Sequence, residues 1–125
     1  MKGGRLRVLA SANFRRNLER VEAFLEAAGA TREFDRLLRE IAEEVIPAFE
    51  QFPEIGADLL ARAPLSAEGR ALFAKVLDLL GPEASLRQLI RGDYILLYVV
   101  RADAVVLLAI RHHRELSFDF PGHWP

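Results

Sequence analysis

The sequence predicts an α+β domain: an antiparallel sheet of about four strands packed on an N-terminal αα-hairpin, with one further helix inserted between them. Three observations carry that expectation. Two apolar runs, Tyr94 to Val100 and Ala104 to Ile110, flank the short polar break Arg101-Ala102-Asp103. Both are rich in Val, Ile, Leu and Tyr, which suit a pleated surface, and an Asp-containing break between such runs is a hairpin signal. A third run, Ala84 to Arg91, precedes them across Gly92-Asp93, so the three make a meander with the Tyr94 strand in the middle. Upstream, two stretches with apolar residues at helical spacing meet across Gly29-Ala30, a connection short enough for an antiparallel helical pair.

In chain order, Arg5 to Ala10 alternates polar with apolar and reads as a first strand. Ser11 follows where its hydroxyl can accept from a free N–H of the next turn, so a helix starts there. Phe14, Leu18, Val21, Leu25 and Ala28 give its apolar stripe, and Gly29 supplies a left-handed stop. Thr31 is expected to cap the second helix, with Glu33 and Asp35 in the first turn, where the helix dipole favours negative charge. Its stripe is Phe34, Leu37, Leu38, Ile41, Val45 and Ile46. Pro47 should kink or end it, with Ala48 to Phe52 free to resume. Phe52-Pro53-Glu54-Ile55-Gly56 reads as a turn and Ala57 to Arg62 as a further helical piece. Leu72, Phe73, Val76, Leu77 and Leu80 make a third stripe, closed by Gly81-Pro82. Residues 114–125 form a tail carrying Phe118, Phe120 and Trp124. All 125 residues are expected to form one domain.

Composition excludes several function classes. The chain has no cysteine, so disulfides and thiolate chemistry are out, and a reducing cytoplasm is the expected compartment. No apolar run approaches the roughly 20 residues of a membrane span. A net charge of −1 argues against electrostatic nucleic-acid binding by the chain as a whole. Glycine-rich phosphate loops and paired zinc-ligand spacings are absent, and no cofactor is expected. His112 and His123 are far apart, while adjacent His112 and His113 point to opposite faces of a strand, so no metal site is expected either.

The residues left as chemical candidates are Arg87, Arg91, Arg111, His112, His113 and Arg114. Four guanidiniums and two imidazoles near one end of a small sheet suit a phosphate or carboxylate. The competing reading is a solvated strand end, where Arg stems cover apolar surface. Tyr94 and Tyr98 are candidates for stacking or hydrogen bonding, against a reading as amphipathic core residues. The charges Arg36, Arg39, Glu40 and Glu43 read as solvated helix surface.

The stretch from Leu86 to Glu115 resembles the C-terminal half of the RelE/ParE toxins of type II toxin–antitoxin systems, also described as plasmid stabilisation proteins. The residues that carry the likeness are Gly92, Tyr94, Tyr98, Val100, Asp103, Val105 to Ile110, His112 or His113, and Arg114. The upstream order of strand, Ser-capped helix, second helix and Phe52-to-Gly56 turn resembles the family too, and residues 57–80 look like an insertion in its plan. The resemblance implies a twisted antiparallel sheet packed on a helical pair, and a cognate antitoxin whose segment lies on the other sheet face or beside the helices.

The family divides into gyrase-directed toxins and ribosome-dependent mRNA endonucleases. The mRNA-cleaving branch carries an Arg after the first motif tyrosine, where this chain has Ile95. It also takes lysines from the preceding strand, where this chain has Arg87 and Arg91, and a C-terminal catalytic Tyr that has no counterpart after Arg114. The resemblance therefore implies a ParE-like toxin that inhibits growth by binding DNA gyrase. The alternatives are an mRNA endonuclease using the Arg/His cluster and a non-toxic member that only binds antitoxin. Tyr94, Tyr98, Arg91, Arg114, Phe118, Phe120 and Trp124 are the residues expected to meet target or antitoxin.

One expectation concerns the second sheet face. Alternation puts Tyr94, Leu96, Tyr98 and Val100 on one face and Ile95, Leu97 and Val99 on the other, and neither face is polar. The two helices can cover only one. The other is expected to be closed by the aromatic tail, by a second copy of the chain in a homodimer, or by antitoxin.

Overall fold

The computed structural model describes residues 6–58 and 84–112, together with Ala74 and Asp78. The elements are β1 (Arg7–Ala10), α1 (Ala12–Ala27), α2 (Thr31–Glu40), a π-helical turn (Ile41–Val45), α3 (Ile46–Gln51), β2 (Ala57–Asp58), β3 (Ser85–Arg91), β4 (Tyr94–Val100) and β5 (Ala104–His112). The expected α+β class holds. The meander forms as predicted, with β4 between β3 and β5.

Two features of the sheet differ from expectation. It has five strands in the order β1-β5-β4-β3-β2, and it is mixed, because β1 runs parallel to β5. A hairpin turn would force an antiparallel pair, but β1 and β5 are the first and last strands in the chain, so no tight turn joins them and a parallel pairing is open to them. The helical piece expected from Ala57 is instead the edge strand β2, which pairs antiparallel with β3 (Ala57 with Gln88, Asp58 with Arg87). A pinned turn just before it lays the chain along that edge.

The helices follow the stripes closely. Ser11 accepts from the Phe14 N–H at 3.0 Å, and Gly29 takes a φ of +72° at the end of α1. The Thr31 cap is not formed: Thr31 is already helical, and Ala30 precedes it with no side-chain cap. Pro47 neither ends nor breaks the second helix. The Ile46 N–H reaches back five residues to the Ile41 carbonyl, a π turn that widens the helix just ahead of the proline ring. Proline clashes with the carbonyl four residues back in a regular α-helix, so the widened turn lets the helix continue as α3.

The β3–β4 turn is two residues long, with Gly92 at φ +58° and no positive φ at Asp93. That is the pattern of a type II′ turn, whose twist matches the flanking strands.

Two buried clusters flank the sheet. Tyr94, Leu96, Tyr98, Val100, Val105, Leu107 and Ile110 pack on the helices with Phe14, Val21, Leu25, Leu37, Ile41 and Phe49. Leu86, Leu97, Val99, Leu108 and Ala109 form the second cluster on the other face. Those five residues are buried within a single chain, whereas Ile90, which pairs with Ile95 on the same face, is 66% exposed. The expected aromatic tail and all five residues of the third helical stripe lie outside the described residues.

A β-bulge decides which residues of β5 face the helices. Leu97 pairs with Ala109 but Tyr98 with Leu107, leaving Leu108 as an extra residue. One extra residue inverts the alternation beyond it. Without the bulge, Arg111 would face the helices; with it, His112 does.

The backbone groups exposed beyond the end of β1 are taken up by α1. The Leu107 carbonyl accepts from the Ser11 N–H at 3.0 Å. The Leu108 carbonyl accepts from the Asn13 side-chain amide at 2.9 Å and the Ser11 hydroxyl at 3.2 Å. The Ile110 N–H donates to Asn17 Oδ1 at 3.0 Å. Two buried asparagines thus continue the ladder that β1 leaves.

Candidate functional site

The sequence candidates fall into two groups on the helix-facing side of the sheet, at opposite ends of β3. Around Tyr98 the group is structural. The Tyr98 hydroxyl donates to the Pro53 carbonyl at 2.9 Å and accepts from the Gly56 N–H at 2.8 Å, while its ring packs 4.2 Å from that of Phe49. Arg87 donates to the Gly56 carbonyl at 2.7 Å and reaches the Glu54 carbonyl at 3.4 Å. Together they fix the turn that launches β2. Glycine is required there, because a Cβ on Gly56 would stand 2.6 Å from both the Gln88 carbonyl and the Tyr98 hydroxyl. Tyr98 is 0% exposed. Burial pushes its phenol above the usual range, against the opposing Gly56 hydrogen bond and the Arg87 charge.

The second group sits where the β3–β4 turn and the end of β5 meet α2. Tyr94 and His112 are directly paired across β4 and β5, and their rings meet edge-on at 5.1 Å. Phe24 of α1 closes the other side of the imidazole at 5.3 Å. The Tyr94 hydroxyl donates to Glu33 Oε2 at 2.8 Å, and His112 Nε2 lies 3.6 Å from the same oxygen. Burial raises the Tyr94 phenol well above its ordinary value, and the bond to Glu33 and that residue's charge raise it further. Asp93, in the turn, lies beside Glu33 and His112. Arg91 donates to Glu40 and to Glu44, so α2 and its π turn offer Glu33, Glu40 and Glu44 to this end of the sheet. The Glu40 hydrogen bond is the main cause of an upward shift of the Arg91 guanidinium, which stays charged.

Arg111 pairs with Ile95 on the other face. The six chemical candidates are therefore not one patch: Arg87 serves the Gly56 turn, Arg91 and His112 meet acids of α2, and Arg111 faces away. His113, Arg114, Phe118, Phe120 and Trp124 lie outside the described residues. Reading Glu40 as plain solvated surface was incorrect, since it binds Arg91 across the helix–sheet junction. The sequence marks Glu33 only as a helix-dipole residue and does not single out Glu44, though positions 33, 40 and 44 share one side of a helix. Asn13 and Asn17 were legible only as two amides four residues apart on an otherwise apolar face.

The arrangement suits binding and bracing. The Tyr94 phenol and the Arg91 guanidinium are each bonded to carboxylates, and His112 beside them is only 4% exposed.

A family model described as the ParE toxin of the type II toxin–antitoxin system, parDE, matches residues 8–117. The chain belongs to the ParE toxin family. No curated protein matches it in sequence. The match takes in β1 from Val8 on, α1 to α3, the whole meander and both groups of side chains, so this ParE-family chain carries its acid–base cluster inside the family's own domain. Among the described residues, no helix is long and apolar enough to cross a membrane.

Proposed function

We propose that this chain is the growth-inhibiting toxin of a type II pair, that it acts in the cytoplasm by binding DNA gyrase, and that a cognate antitoxin neutralises it. The observation that supports binding over cleavage is the commitment of the candidate groups. RNA cleavage needs a base within about 3 Å of the 2′-hydroxyl and cations free to meet the developing phosphorane charge. Here Arg87 is spent on two carbonyls, Arg91 on two carboxylates, and His112 is enclosed by Phe24, Tyr94 and Glu33.

The antitoxin segment is assigned to the β2 end of the sheet, because exposed apolar side chains gather there. Phe52 is 61% exposed, Ile90 66% and Ile55 47%. Phe52 and Ile55 lie in the turn that leads into β2, and Ile90 lies near the end of β3, the strand that β2 pairs with. An extended apolar segment laid there would cover all three while pairing with the sheet edge.

Inducing the chain in bacteria tests the target. Plasmid supercoiling should change before mRNA integrity fails, and a short acidic reading frame beside the gene, co-expressed, should restore growth. Cleaved mRNA with unchanged supercoiling would instead establish the endonuclease reading. Growth unaffected by induction, with the antitoxin still bound, would establish a non-toxic antitoxin-binding member.

A further inference from the structure

We propose that Glu33, Asp93 and His112 form a binding site for one divalent transition-metal ion of the Zn²⁺ type. A Glu33 oxygen, an Asp93 oxygen and a His112 ring nitrogen all lie within 4.8 Å of one another. They come from three separate elements: the first turn of α2, the β3–β4 turn and the end of β5. The sequence offered His112 only His113 as a neighbouring ligand, on the opposite face. The bulge at Leu108 turns His112 towards the helices, where α2 and the hairpin supply the two carboxylates.

The donor set and its geometry fit this ion class. One imidazole and two carboxylates, with a fourth position for water, is a zinc-type ligand set. Imidazole nitrogen selects such metals over Mg²⁺, which prefers an all-oxygen shell. His112 Nε2 and Glu33 Oε2 are 3.6 Å apart, too far for a good hydrogen bond. Bonds of about 2.0 Å at the tetrahedral angle place two ligand atoms about 3.3 Å apart, so this pair needs little adjustment. Asp93 closes the set by rotating its side chain at an exposed turn.

The surroundings hold the ligands in place. Phe24 and Tyr94 enclose the imidazole, and the Tyr94 hydroxyl donates to the Glu33 carboxylate, the kind of bond that orients a metal ligand. Two carboxylate charges balance the ion. Metal binding would tie the start of α2 to the hairpin tip and the end of β5.

The test uses the full chain with His113→Gln and His123→Gln, so that those imidazoles cannot report, after treatment with a chelator. ZnCl₂ titration by calorimetry should give one ion per chain. Free Zn²⁺ about a hundredfold above its dissociation constant favours the folded state about a hundredfold, raising the unfolding midpoint by roughly 10 °C. Asp93→Asn, at the exposed turn, and Glu33→Gln should each weaken binding at least about tenfold. Glu40→Gln, whose carboxylate serves Arg91, should leave it unchanged. Absence of saturable Zn²⁺ binding would overturn the proposal. So would binding undiminished in both Asp93→Asn and Glu33→Gln, or displacement of Zn²⁺ by an equal concentration of Mg²⁺.

Discussion

Replacing Tyr98 by Phe removes one oxygen from the core and keeps the ring against Phe49. That oxygen satisfies two backbone groups, the Gly56 N–H at 2.8 Å and the Pro53 carbonyl at 2.9 Å. Gly56 is buried, so its orphaned N–H costs about 1–3 kcal/mol. Pro53 is half-buried and can recruit water, so its carbonyl costs about 0.5–1 kcal/mol. The expected loss is about 2–3 kcal/mol, or roughly 10 °C in the unfolding midpoint of a domain of this size. Denaturant unfolding gives the first number, and amide exchange at Gly56, expected to quicken, locates it. The Phe52-to-Gly56 turn should loosen and β2 with it. A loss under about 0.5 kcal/mol with Gly56 protected as before would refute the claim that this hydroxyl fixes the turn.

Three further outcomes are expected. Gly56→Ala should cost about 1–3 kcal/mol by overpacking; in the double variant with Tyr98→Phe the cost should fall short of the sum, because one of the two clashing oxygens is gone. Asn17→Ala should destabilise by about 1–3 kcal/mol and expose the Ile110 amide to exchange, since Asn17 is fully buried and supplies that amide's acceptor. Stability should fall as pH rises above about 10: the native phenols of Tyr94 and Tyr98 hold their protons above the pH at which unfolded tyrosine loses them, so the unfolded state binds fewer protons and gains. Tyr94→Phe should flatten that alkaline slope in a pH series of unfolding curves.

The sequence by itself determined the elements whose signal is local. Each apolar run from Leu86 to Ile110 is long enough to specify a strand, the Gly92-Asp93 pair specifies its tight turn, and Ser11 and Gly29 bound α1 through the bonds and dihedral they adopt. The assignment of Tyr94, Leu96, Tyr98 and Val100 to one face followed from strand alternation alone. The family likeness was legible for the same reason, since its motif lies along those strands. Half of the candidate site was legible too: Arg91, Tyr94 and His112 were singled out, but not the acids they meet.

Tertiary structure decided what depends on partners distant in sequence. Ala57-Asp58 has no strand signal of its own; it becomes β2 because Tyr98 and Arg87 hold Gly56 against β3. β1 pairs in parallel with β5, the last strand in the chain, across a connection that takes in every other element. Pro47 stays inside a helix because a π turn absorbs its ring. The Leu108 bulge matters most for the site. Beside it, beyond the end of β1, the Leu108 carbonyl and the Ile110 N–H meet side chains of α1, nearly a hundred residues away. The bulge inverts the alternation along β5 where no local signal marks it, and His112 rather than Arg111 arrives beside Glu33 and Asp93.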